Sequence, residues 1–450
     1  MRSCEHERTS RNFSTDFPDW FVLPAPYPGY AIAVFSVFAH FPYPVAKALW
    51  LAILASAIVI AAFALSELIS WPLLPVALCL IPIGVLINIK LGSFPAIGIA
   101  SISIAALAYS RARPMLAVIP MMLAFISPHA ALPSAIALFL ASRRSRLPLV
   151  IGVVALAIVS VFVLGFTGNV VYFTEVLPIH ANAEVLFNGE LSLTHMRATM
   201  HIAADNALRE GTLSYAFLSR TAIYFAVRNG ANGLPHSLAN AILFPAAIAA
   251  LGGTCVHAQE VALAILAAMM LASESNNNPR RVFASIACFG LLFGGDNSDD
   301  GIAAYAYVAA CISIALLIWC KRKSQIAPIV TTTLAVALVL ISTVHLLRQS
   351  PHRFPQPSTR DVAITGIEDE RSPSTRLERF IKQAPSYSTE DPWTESIKLP
   401  MWIGLVAVFF LGLSSSDKTS QVIPESRTSQ AATGMQPRSE RSHVSKDTTV

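Results

Sequence analysis

The chain has 450 residues, 54% of them hydrophobic and only 13% charged, with a formal net charge of +5. A soluble domain carries roughly twice that charged fraction, so composition excludes the ordinary soluble classes and points to a chain built for lipid. Apolar runs of about 17 to 25 residues recur along it, each long enough to cross a hydrocarbon layer roughly 30 Å thick. The expected fold is an all-α, polytopic transmembrane helix bundle of about 13 spans.

Residues 1–21 form an N-terminal external segment. Its first stretch, MRSCEHERTSRN, lacks the apolar core of a signal peptide. The following TDFPDWFVLPAPYPGY places Asp16 and Asp19 outside the first apolar run, beside Trp20, Phe21, Tyr27 and Tyr30. Aromatics at that depth form an interfacial belt. Acids beside rings also suit a sugar site, where rings stack on apolar sugar faces and carboxylates take the hydroxyls.

Residues 22–347 read as the transmembrane core, with spans at 22–41, 44–66, 71–89, 92–109, 114–141, 147–166, 212–228, 236–252, 256–273, 281–295, 302–320 and 326–347. The run 114–141 is interrupted at Ser127-Pro128-His129, and 212–228 carries Arg220 in its middle. With the N-terminus outside, Lys47, Lys90, Arg143, Arg144, Arg146, Arg228, Arg280, Arg281 and Lys321 to Lys323 fall on the cytoplasmic side, Arg111 and Arg113 being the exceptions among short loops. Basic residues so used call for no nucleic acid. The six cysteines show no metal-ligand spacing and read as buried packing residues.

The same topology gathers titratable groups on the outer face. Loop 167–211 holds Glu175, His180, Glu184, Glu190, His195, His201 and Asp205 among apolar residues, as an amphipathic segment along the membrane surface does. Most of these side chains are expected on a solvated face, with one or two, His195 among them, lining a site. No H-E-x-x-H or similar spacing occurs, so no metal is expected.

His257 and Glu260, in TCVHAQEVALAI, lie at i and i+3 at the head of an apolar run, where a helix puts them on one face. A carboxylate one turn from an imidazole holds it charged or fixes its tautomer, which makes an oriented acid/base pair. The bland alternative is that both cap the helix and meet interfacial water. Beyond the core, 348–399 is a polar external loop, 400–415 a last span and 416–450 a disordered cytoplasmic tail. No internal repeat is evident.

Taken in order, several stretches resemble the polytopic glycosyltransferases of the C-type fold related to bacterial polyprenyl-phosphate-mannose-dependent α-1,2-mannosyltransferases. DFPDWFVLPA looks like that family's D-F-x-x-Y-Y-x-x-A stretch, with Asp16 on the acidic position. PYPGYAIAVFSVFAHFPYPVAKALW is similar to its Y-P-P helix and the helix ending in Trp. VYFTEVLP with NGELSLTHM looks like its external segment, GTLSYAF like the helix after it, and His257 with Glu260 sits where relatives carry H-x-x-D/Q. The resemblance runs from about residue 14 to about 345. The Y-P-P, G-Q and K-P positions depart from the pattern, reading Pro28-Gly29, Gly92-Ser93 and Pro128-His129.

The resemblance implies a multi-pass protein of the cell membrane, the inner membrane of a bacterium, that transfers a hexosyl, mannosyl-like residue. The donor is a polyprenyl-phosphate sugar, the acceptor a hydroxyl of a glycan or glycolipid on the outer face, and no cofactor is expected. Proton removal from the acceptor falls to His257 or Asp16 as catalytic residues. Glu260, Asp19, Tyr27, His195 and Arg220 are the expected substrate-binding residues, Arg220 as a cation for the departing phosphate. The alternatives are a transporter or flippase of a lipid-linked or small polar solute, or a degenerate, non-catalytic family member.

Overall fold

The computed structural model describes residues 27–80, 93–185, 190–200, 202–252, 256–274, 284, 291 and 399–414. These are 87% helical and include no strand. Asp16, Asp19, nearly all of the spans at 281–295, 302–320 and 326–347, the polar loop before 399 and the tail from 416 lie outside the described residues.

In chain order the helices are α1 (Gly29–Phe38), α2 (Tyr43–Ile69), α3 (Leu73–Leu80), α4 (Pro95–Ser110), α5 (Pro114–Ala124), α6 (Pro128–Ala141) and α7 (Arg143–Val171). A π-helical turn, Tyr172–Val176, leads into α8 (Leu177–Glu184), then α9 (Leu193–Thr199), α10 (Ala204–Gly230) and α11 (Pro235–Gly252). A 3-10 turn, Ala258–Val261, opens α12 (Ala262–Glu274), and α13 (Leu399–Ser414) follows. Among the described residues, two helices are long and apolar enough to cross a membrane, Tyr43–Ile69 and the continuous run Arg143–Val176.

Burial separates the helices into an inner and an outer set. Residues 239–251 of α11 and 262–272 of α12 are buried without a break, as suits helices apolar on every side. α11 packs against α4, α6, α10, α12 and α13, and the Ser134 hydroxyl on α6 donates to the Ile242 carbonyl at 2.7 Å. α7 lies at the edge, and only 11% of its most apolar window is buried. Phe162, 85% exposed, and Phe166 stand out from it.

Two breaks shape the bundle. The expected interruption near residue 127 separates α5 from α6. Proline at 128 lacks an N–H and disfavours helical backbone before it, and Ser127 is non-helical (φ −119°, ψ 80°). The Tyr30 hydroxyl donates to the Phe125 carbonyl at 2.9 Å in this gap.

Within α7, Gly165 takes φ 72°, ψ 169°, a conformation open to glycine. The Asn169 amide nitrogen donates to Gly165 O at 2.7 Å and to Ser160 O at 3.0 Å, supporting the kink. The Ser160 hydroxyl, donating to Asn169 Oδ1, also accepts the Gly29 backbone N–H at 3.1 Å. A Cβ on residue 29 would lie 2.8 Å from Ser160 O and 2.9 Å from its Cα, so α1 reaches α7 only with glycine there.

Candidate functional site

The site starts from a short backbone pairing. Residues 190–191 run antiparallel to 256–257: Glu190 and His257 form a β-bridge, and the Leu191 N–H donates to the Val256 carbonyl at 2.7 Å. Glu190 Oε1 accepts the N–H of Ser192 at 3.1 Å and that of Val256 as well. Its carboxylate thus takes the place of backbone acceptors where the pairing ends. The Trp402 indole N–H, from α13, donates to the Leu191 carbonyl at 2.9 Å and fixes the same strip.

His257 lies just before the 3-10 turn in extended backbone (φ −96°, ψ 165°) rather than on a helix face. Glu260 reaches back, and its Oε2 accepts the His257 backbone N–H at 3.0 Å. Its Oε1 lies 2.8 Å from Nε2 of His129, the second residue of α6. The expected carboxylate-to-imidazole pair is therefore replaced by two others, because Glu260 caps a turn through the His257 main chain and gives its remaining oxygen to His129.

The His257 ring turns instead to the loop carboxylates. Nε2 is 3.5 Å from Glu184 Oε2 and Nδ1 is 3.9 Å from Glu190 Oε2. His180, one helical turn before Glu184, places its Nε2 3.5 Å from Glu184 Oε1. Six titratable groups thus form one contiguous cluster, drawn from α6, α8, the 190–192 strip and the head of α12.

Burial dominates the electrostatics. Glu190 is fully buried, and loss of water pushes its pKa up to about 8; positive charge on His257 opposes this, and the nearby Glu184 adds to it. Burial likewise lowers the pKa of His180, against the pull of Glu184. Glu184 and Glu260 are each 7% exposed. Of the titratable residues in the 167–211 loop, Glu175 and Asp205 are exposed and His180 is half-buried, as on a solvated face, whereas Glu184, Glu190 and His195 are buried, and His201 lies outside the described residues.

The remaining expected residues fall in different places. Tyr27 packs edge-on to Phe94, ring centroids 4.7 Å apart. His195 is buried, its Nδ1 2.7 Å from the carbonyl of Val185, the residue after Glu184, while its backbone N–H donates to Ser192 Oγ. It holds the scaffold behind the cluster. Arg220 is exposed on α10, and no hydrogen bond or ion pair joins it to the cluster among the described residues. Arg197 pairs with Glu210. His129 is legible in the sequence only as the departure Pro128-His129 at the helix break, and nothing in the local sequence pairs it with a glutamate 131 positions later.

Glu184, Glu190 and His257 each offer a ligand atom, all within 4.8 Å of one another. Chemically the cluster supplies a base, a carboxylate to stabilise its protonated form, and a donor set for a cation. Comparison with family models, curated proteins and solved structures gives no match.

Proposed function

We propose that this chain is an integral-membrane glycosyltransferase with a C-type bundle of about 13 spans, moving a hexosyl residue from a polyprenyl-phosphate donor to an acceptor hydroxyl at the outer membrane face. The order of family-like stretches along residues 14 to 345 supports it, as do two helices of membrane-crossing length. One observation carries the reading: His257 lies between two buried carboxylates.

An acceptor hydroxyl attacking the anomeric carbon must give up its proton. His257 Nε2 accepts it in this scheme, and Glu184 stabilises the imidazolium that results. The bond from sugar to lipid phosphate breaks as the new glycosidic bond forms, and the phosphate leaves with its electron pair. Arg220, exposed on α10, is the cation proposed to meet that charge. A lipid phosphate leaving group requires no nucleotide, which agrees with a sequence that has no glycine-rich phosphate loop.

The test uses membranes carrying the full chain and a radiolabelled polyprenyl-phosphate sugar. His257→Ala is expected to lower transfer by about 10²- to 10⁴-fold with expression unchanged; full activity in that variant overturns the mechanism. Orientation is checked by labelling engineered cysteines in intact cells. Glu175→Cys should react with an impermeant reagent and Arg144→Cys should not; the reverse pattern overturns the outer placement of the site.

A second reading, transport of a lipid-linked or polar solute, draws on the contiguous buried titratable chain beside the α5/α6 break. Label that moves from donor to acceptor separates the two, since transport leaves the donor intact.

A further inference from the structure

We propose that Glu184, Glu190 and His257 form a binding site for one divalent transition-metal ion, of the zinc class. The three ligand atoms lie within 4.8 Å of one another and come from three segments that no spacing motif connects. An ion with bonds of about 2.0–2.2 Å holds neighbouring donors roughly 3.5 Å apart. His257 Nε2 and Glu184 Oε2 are already at 3.5 Å, while Glu190 Oε2 lies 3.9 Å from the other ring nitrogen, Nδ1, so one ion is closed over by Glu184, Glu190 and a single nitrogen once the ring turns between the two carboxylates.

The second support is Glu184 itself. It is 7% exposed, its Oε2 accepts no hydrogen bond among the described residues, and that oxygen points at the His257 ring. A buried carboxylate oxygen without a donor is costly, and a cation resolves it directly. Glu190 is oriented toward the same ring from its Nδ1 side, because two backbone N–H groups occupy Oε1 and so leave Oε2 to face His257. The Glu260 bond to the His257 N–H fixes the imidazole's backbone in turn.

Two carboxylates and one imidazole offset the charge of a divalent ion. One nitrogen among oxygens suits zinc or its neighbours better than calcium or magnesium, which favour all-oxygen shells. Three protein ligands leave a position open, and the His257 side chain is 25% exposed. There the ion would meet an acceptor hydroxyl or a lipid phosphate. With the ion bound, His257 is a ligand rather than a base. Ion binding rests on the cluster alone, so its test is independent of sugar transfer.

The experiment strips the purified full chain in detergent with a chelator and titrates it with zinc alone, reading bound metal by mass spectrometry and affinity by competition with a chromophoric chelator. One ion per chain is expected. Glu184→Gln and His257→Gln should each weaken it by about tenfold or more, while Glu67→Gln, at the surface pair with Arg111, should leave it unchanged. No saturable one-to-one site, or equal affinity in Glu184→Gln, His257→Gln and wild type, overturns the proposal. Zinc-edge absorption of the loaded wild-type chain needs no variant: a single imidazole among oxygens supports it, and an all-oxygen or sulfur shell overturns it.

Discussion

α7 and the cluster around His257 invert the distribution familiar from soluble proteins. On α7 large apolar side chains face outward, with Phe162 85% exposed, whereas Glu190 is 0% exposed. Both regions sit in sequence that is mostly apolar, so hydrophobicity alone does not tell them apart. The difference lies in which backbone and side-chain groups find partners. α7 satisfies its own main chain and can offer its sides to lipid, while at the cluster two short, irregular segments, the 190–192 strip and the 256–260 turn, need the Glu190 and Glu260 carboxylates to finish their hydrogen bonding.

Substitutions on each side test that contrast, the largest effect first. Glu190→Ala removes the acceptor for two buried N–H groups, and the chain should lose about 4 kcal/mol of stability, read as a drop in thermal midpoint in detergent; an unchanged midpoint would mean the strip pairs without its carboxylate. Phe162→Lys places a charge on the outward side of α7 and should disfavour insertion by about 3 kcal/mol. Quantifying membrane-integrated protein checks this, and full integration would put α7 in water. Gly165→Ala forces a Cβ into a left-handed conformation and should cost about 1–2 kcal/mol; it should straighten α7 with little effect on the cluster. Ser192→Ala removes the cap of α9 and should cost about 1 kcal/mol, a shift within reach of the same melting assay.

The sequence makes some of this legible and not the rest. Apolar runs locate α2, α4, α7, α11 and α13 to within a few residues, because long helices carry their own periodic signal. The α5/α6 break is readable from Pro128, whose effect on the backbone is local. His257 can be singled out because a charged-group pair in an apolar run stands out. Its true neighbours cannot: Glu184 and Glu190 share a loop with other polar residues, and only the fold decides which of them turn inward. Spacing pairs Glu260 with His257, and the structure realises that pair as the capping alternative, through the His257 main chain, because His257 stands in extended backbone just before the turn.

The bond from Trp402 to the Leu191 carbonyl carries a consequence for assembly. More than two hundred positions separate donor and acceptor, so a nascent chain emerging from the ribosome holds the 190–192 strip without its clasp until Trp402 has been made. A product ending ahead of the last helix would keep every member of the cluster and lack the indole that pins its floor. Quality control by membrane proteases would then find its opening at that strip.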